Sequence, residues 1–115
     1  MDKVEIYRSY IREVLTEIGN YKSLKDNYET QLVFDTEHDH YQIVHIGWDE
    51  YKRIYSCPIH IDIKDGNIWI QRNMTDINIA EEFLEKGVPK EDIVLGLYHP
   101  YKRPYTGFGV DDKAA

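Results

Sequence analysis

Five side chains between positions 35 and 40 could hold a metal ion: Asp35, Glu37, His38, Asp39 and His40. Carboxylate oxygens and imidazole nitrogens are donor types that divalent ions accept. His45 and His60 could join them from neighbouring strands. An ion held there with an open coordination position would make a metal-dependent nuclease or hydrolase. The spacing follows no established ligand motif, and His38 and His40 fall where a solvated turn is expected. A solvated turn with cross-strand pairs is the favoured reading, so no metal or other cofactor is expected.

Nucleophilic catalysis needs a nucleophile beside an oriented base. Ser56 or Cys57 could be set against His45 or His60. Strand alternation puts Ser56 on the face of His60 and Cys57 on the other. No nucleophile elbow is present. The glycines at 47, 66, 87, 96, 107 and 109 never take the spacing of a phosphate loop or a dinucleotide fingerprint. No catalytic residue is assigned. Cys57 is the only cysteine, so no internal disulfide can form. It lies in an apolar run and reads as a buried, inert thiol in a reduced cytosol.

Two other groups look like contact surfaces. One is the strand face carrying His60, Asp62, Trp69 and Gln71. Two helices cover one face of a sheet, and a Trp on the second face needs cover from a partner or from the chain's own tail. The other is the tail segment Tyr98-His99-Pro100-Tyr101-Lys102-Arg103-Pro104-Tyr105. Aromatics interleaved with cations can anchor a protein interface or stack on nucleic acid. The alternative is a tail folded back on its own domain.

The elements that must position these groups read as follows. Residues 2–18 form an amphipathic helix with Val4, Tyr7, Ile11, Val14, Leu15 and Ile18 on one stripe, stopped by Gly19-Asn20. A polar linker covers 21–27. Strands are expected at 29–35, 40–48, 53–64 and 67–73. Val44, Ile46 and Trp48 share one face of the second strand. Cys57, Ile59, Ile61 and Ile63 alternate with Ser56, Pro58, His60 and Asp62. Asp65-Gly66 between alternating runs predicts a two-residue hairpin, because both central positions need positive φ. That turn sets Ile63 opposite Ile68, Asp62 opposite Trp69, Ile61 opposite Ile70 and His60 opposite Gln71. Pro58 lacks an N–H and predicts an edge strand or a bulge. A second helix is capped by Thr75 or Asp76, carries Ile79, Ala80, Phe83 and Leu84, and closes at Gly87. Pro89 starts a short turn, residues 93–97 form a short strand, and an irregular tail follows. The fold class is α+β, with a four- to five-stranded, mainly antiparallel sheet in one domain over 1–115.

The totals agree. A 115-residue chain with 42% hydrophobic residues can bury a core without disulfides or metal. With 14 basic and 21 acidic residues the net charge is −7, which repels phosphate backbones. Direct DNA binding is not expected, and a role in a DNA process would run through a basic protein partner. No signal peptide or membrane span is expected, and the location is read as cytoplasmic.

Three long segments together resemble the XisI family, the fdxN element excision controlling factors of cyanobacteria. They are LVFDTEHDHYQIVHIGWD at 32–49, HIDIKDGNIWIQRN at 60–73 and IAEEFLEKGVPKEDIVLGLYHPYKRPYT at 79–106. His99 stands where the family's tail pattern has an apolar residue. The resemblance implies a role in programmed DNA element excision during heterocyst differentiation, where a site-specific recombinase performs the strand chemistry. It implies an accessory, non-enzymatic protein partnered by a XisH-like protein, a recombinase complex or both. The family offers no catalytic residues. Self-association through the open sheet face is expected as well.

Overall fold

Residues 2–21 and 27–110 are described by the computed structural model. Asp2 opens helix α1, Lys3–Asn20, by accepting the Glu5 N–H at 2.9 Å. The expected stripe buries Tyr7, Ile11, Val14 and Leu15, with Val4 and Ile18 packed beside them. The helix ends at Asn20, within the expected Gly19-Asn20 stop, although Gly19 itself is still helical. The glycine allows a close approach: a Cβ there would sit 2.8 Å from Leu32 Cδ2 on the sheet. Of the expected linker, positions 22–26 lie outside the described residues.

Five strands follow: β1 Tyr28–Asp35, β2 His40–Asp49, β3 Lys52–Lys64, β4 Asn67–Asn73 and β5 Ile93–Val94. They lie in sequence order in one mixed sheet. The first four are antiparallel, and β5 runs parallel to β4. A parallel neighbour needs a crossover, and α2, Ile79–Glu85, lies in that connection. The cap of α2 is Asn78, whose Oδ1 accepts the Glu81 N–H at 3.1 Å, and not Thr75 or Asp76. Thr75 instead closes the preceding turn on Asn73 Oδ1. Gly87, at φ 95°, ends the segment as expected. The last strand is shorter than expected, and the tail is a 3₁₀ helix, Pro100–Tyr105.

The Asp65-Gly66 turn has positive φ at both positions, 52° and 80°. It sets Ile63 opposite Ile68, Asp62 opposite Trp69 and Ile61 opposite Ile70, as expected. The register then shifts. His60 lies opposite Arg72, not Gln71, and Gln71 is the extra residue of a bulge in β4. A second bulge lies in β3: Ile43 faces Ile59 and His45 faces Ser56, so Cys57 and Pro58 together oppose Val44. Pro58 therefore marks a bulge. The edge alternative fails, because β3 is the middle strand of the sheet. The bulge also places Ser56 and His60 on opposite faces, where unbroken alternation had put them together.

One face carries Tyr41, Ile43, Ile59, Ile61, Ile68 and Ile70, all buried under α1 and α2. The other face has neither α-helix on it, and over Trp69 it is covered by the tail with its 3₁₀ helix. Its β2 residues end at Trp48, which is 56% exposed and stacks with the Arg53 guanidinium at 5.1 Å. Urea unfolding checks which face is the core. Ile61→Ala should cost about 3 kcal/mol, in the range for deleting a fully buried Ile side chain. Tyr51→Ala at the tip of the β2–β3 hairpin should stay within about 0.5 kcal/mol of the parent.

Candidate functional site

The 35–40 turn comes first, because it holds most of the candidate ligands. Asp35 Oδ1 accepts the N–H groups of Glu37 and His38, each at 3.0 Å, and Oδ2 meets His38 Nδ1 at 3.0 Å. These bonds close the turn on itself. Asp39 turns the other way, to α1. Arg8 Nε donates to its Oδ1 at 2.7 Å, Arg8 Nη2 to its Oδ2 at 3.1 Å, and the Tyr41 hydroxyl to Oδ1 at 2.9 Å. The guanidinium holds the Asp39 carboxyl below the usual range. Both carboxylates are thus occupied by local structure, and the turn does not assemble the candidate ligand set. His45 is also elsewhere, stacked on Tyr28 at 4.0 Å.

His40 is the member of the turn that joins another group. The β3 bulge sets it opposite Asp62, and Gln42 opposite His60. His40 Nδ1 lies 2.8 Å from Asp62 Oδ1, and His60 Nε2 lies 2.7 Å from the same oxygen. Gln71, displaced by its own bulge, donates from Nε2 to Asp62 Oδ2 at 3.2 Å. Gln42 Nε2 is 3.3 Å from His60 Nδ1. Asp62 is the buried charged side chain of the described residues, at 8% exposure. Burial pushes its carboxyl up, but the hydrogen bonds from both imidazoles and Gln71 outweigh that and hold it below its ordinary value. The same bond raises the His40 imidazole. His40, His60 and Asp62 each bring one ligand atom to within 4.8 Å of the others.

Next along the face, Trp69 is 5% exposed and covered by the chain itself. The Lys64 ammonium lies 4.4 Å from its ring centre and the Arg103 guanidinium 5.2 Å. Gly96 passes flat over it: a Cβ there would come within 2.5 Å of Gln71 Oε1 and 3.0 Å of Trp69 Cε3. Arg103 also donates to the carbonyls of Tyr98 and Gly96 at 2.9 and 3.1 Å. His99 Nδ1 accepts the Tyr101 N–H at 3.3 Å and caps the 3₁₀ helix.

The expected contact residues therefore divide. His60, Asp62 and Gln71 meet in the polar cluster. Trp69 and Arg103 form the brace beneath the tail. Tyr98, His99, Tyr101, Lys102 and Tyr105 point outward, with Tyr105 at 87% exposure. A groove of about 570 Å³ runs beside this segment, lined by Ile79, Leu97, Tyr98 and Phe108 among others. Gln42 went unassigned in the sequence, and His40 was a candidate only with the ligands of the 35–40 turn. The signal for them was the β2 alternation, which puts both on one face. Cys57 donates to the Ile59 carbonyl at 3.2 Å, and burial pushes its thiol up, away from the reactive thiolate.

The family model for the XisI protein matches residues 1–110. The chain belongs to the XisI family. A solved XisI-like protein from Anabaena variabilis is 49% identical, with a TM-score of 0.89 over 94% of this chain and 99% of that one. The fdxN element excision controlling factor XisI from Anabaena variabilis is 35% identical, with a TM-score of 0.84 over 96% and 100%. No curated protein matches. The XisI fold here is the α+β arrangement expected, and no helix of the described residues is long and apolar enough to cross a membrane.

The close passage of Gly96 gives a test of the brace. In a Trp48→Phe background, Gly96→Val should lift the tail from Trp69 and move its fluorescence emission to the red. Unchanged emission would mean that the tail does not depend on this contact.

Proposed function

We propose that this XisI-family chain is a non-enzymatic accessory factor that controls excision of a DNA element by binding other proteins. The partner in this reading is a XisH-like protein, a recombinase complex or both. The observation that carries it is the Tyr98–Tyr105 segment. Its exposed tyrosines, His99 and Lys102 stand on a short 3₁₀ helix held to the domain by Arg103 and Trp69. Aromatic side chains and cations on a preformed scaffold bind with little ordering cost. The segment is a local basic island on a chain of net charge −7, which favours a protein partner over a nucleic acid backbone. His60, Asp62 and Gln71 border this surface through the shared Gln71–Gly96 contact, and Trp69 supports it from beneath.

Co-purification with the cognate XisH-like protein tests the reading. Tyr101→Ala, Lys102→Ala and Tyr105→Ala together should weaken binding by about 2 kcal/mol or more, roughly thirtyfold in Kd. Trp69→Ala should act in the same direction by releasing the brace. Unchanged tight binding removes this surface from the proposal.

Self-association is proposed through the uncovered part of the second face. Cross-strand pairing puts Ile46 beside Tyr55 and Trp48 beside Arg53 there. Trp48 and Tyr55 are exposed there. Light scattering should report a dimer or larger species for the parent and a monomer for Trp48→Lys. A monomeric parent would end this part of the reading.

A further inference from the structure

We propose that His40, His60 and Asp62 form a binding site for one divalent transition-metal ion of zinc-like character. The site differs from the one the sequence hinted at. That one used the 35–40 turn, whose carboxylates bind their own turn and Arg8. This one is built on two adjacent strands, and its members are fixed by register: His40 faces Asp62, and His60 is two residues along the same strand.

The donor set is two imidazoles and one carboxylate, which suits zinc and its first-row neighbours and leaves at least one coordination position open. The geometry is close to what an ion needs. His40 Nδ1 and His60 Nε2 already converge on Asp62 Oδ1, at 2.8 and 2.7 Å. Ligands at about 2.0–2.1 Å from a tetrahedral zinc stand roughly 3.3 Å apart. Each imidazole–carboxylate distance therefore has to open by about half an ångström for an ion bound at these distances, while the two ring nitrogens lie within 4.8 Å of each other. The His40 ring is more than half exposed and free to make that movement.

The supporting contacts are in place too. Metal-binding imidazoles and carboxylates are held by outer hydrogen bonds that fix their orientation. Gln71 Nε2 holds Asp62 Oδ2, and the Gln42 amide lies against His60 Nδ1. Facing an ionised Asp62, each of these ring nitrogens bonds Oδ1 only as an N–H donor. To bind an ion, the coordinating nitrogen must be free of its proton, which the ring then carries on its other nitrogen. His40 Nε2 can then donate to water, and His60 Nδ1 to the Gln42 amide oxygen once that amide turns over. Asp62 supplies the single negative charge of the donor set. Nothing in this inference depends on the excision-control reading, and a failed partner experiment would leave it standing.

Calorimetric titration of zinc(II) into chelator-treated protein tests it. The expected result is saturable uptake of one zinc per chain, weakened at least about tenfold in His40→Ala and in His60→Ala. Uptake should be unchanged in His38→Ala, which removes a histidine outside the cluster. If His60→Ala unfolds the sheet, His40→Ala carries the test, because its ring is largely exposed. The proposal is overturned if the parent shows no saturable uptake. It is also overturned if uptake survives His40→Ala, or if it is lost in His38→Ala.

Discussion

The bulge at Cys57–Pro58 is the constraint on which the rest of the sheet depends. The β2–β3 hairpin starts from Asp49 opposite Lys52. Continued without a break, that pairing would set His40 opposite Ile61 and bring an imidazole against the apolar stripe. A strand slipped by one residue turns its whole hydrophobic set to the other side. The extra residue in β3 corrects the register at the point where Pro58 has no N–H to give the ladder. Beyond it, Tyr41 meets Ile61 and Ile43 meets Ile59 under the helices, while His40 meets Asp62 on the opposite face. One irregularity thus keeps the core apolar and assembles the polar cluster.

The second face is consequently divided. Over β4 it is covered by the chain's own tail, which brings Arg103 and Lys64 onto Trp69. Over the distal part of β2 and β3 it carries Trp48 and Tyr55 in solvent. Between these two regions lies Asp62. A buried carboxylate without partners would be costly, and such a group takes up a proton when its charge is not met. Two imidazoles and an amide meet it here, so the charge can remain beneath the surface.

Much of this was legible in the sequence, for identifiable reasons. The helix stripe from Val4 to Ile18 and the Asp65-Gly66 turn are local signals, and each fixed its element. The turn gave the register of Ile63, Asp62 and Ile61, because register follows from turn geometry. It could not give the register past Ile70, where the bulge at Gln71 intervenes. Nothing in residues 70–72 marks that bulge, since it is set by contacts across the sheet. The stop at Gly19-Asn20 was legible, but the closeness of Gly19 to Leu32 was not, because Leu32 belongs to another element. Pro58 did signal an irregularity, but whether this meant an edge or a bulge depended on the strand order. The His40–Asp62 pair lay beyond reach for the same cause. The β2–β3 turn uses Glu50 at φ 55°, without the Gly or Asn that announces such turns, and the bulge then moves the partner by one.

Gln71 connects the parts that the sequence kept separate. As the extra residue in β4 it is free of the ladder, so its side chain can serve two neighbours. Its Nε2 holds Asp62 at 3.2 Å, and its Oε1 lies under Gly96, where a Cβ would come within 2.5 Å. The polar cluster and the tail brace therefore share one amide. A change that rotates this amide has to disturb both the support of Asp62 and the passage of the chain above Trp69. The two surfaces are then not independent patches on a platform. Whatever acts on the cluster acts within one side chain of the segment that presents Tyr101, Lys102 and Tyr105.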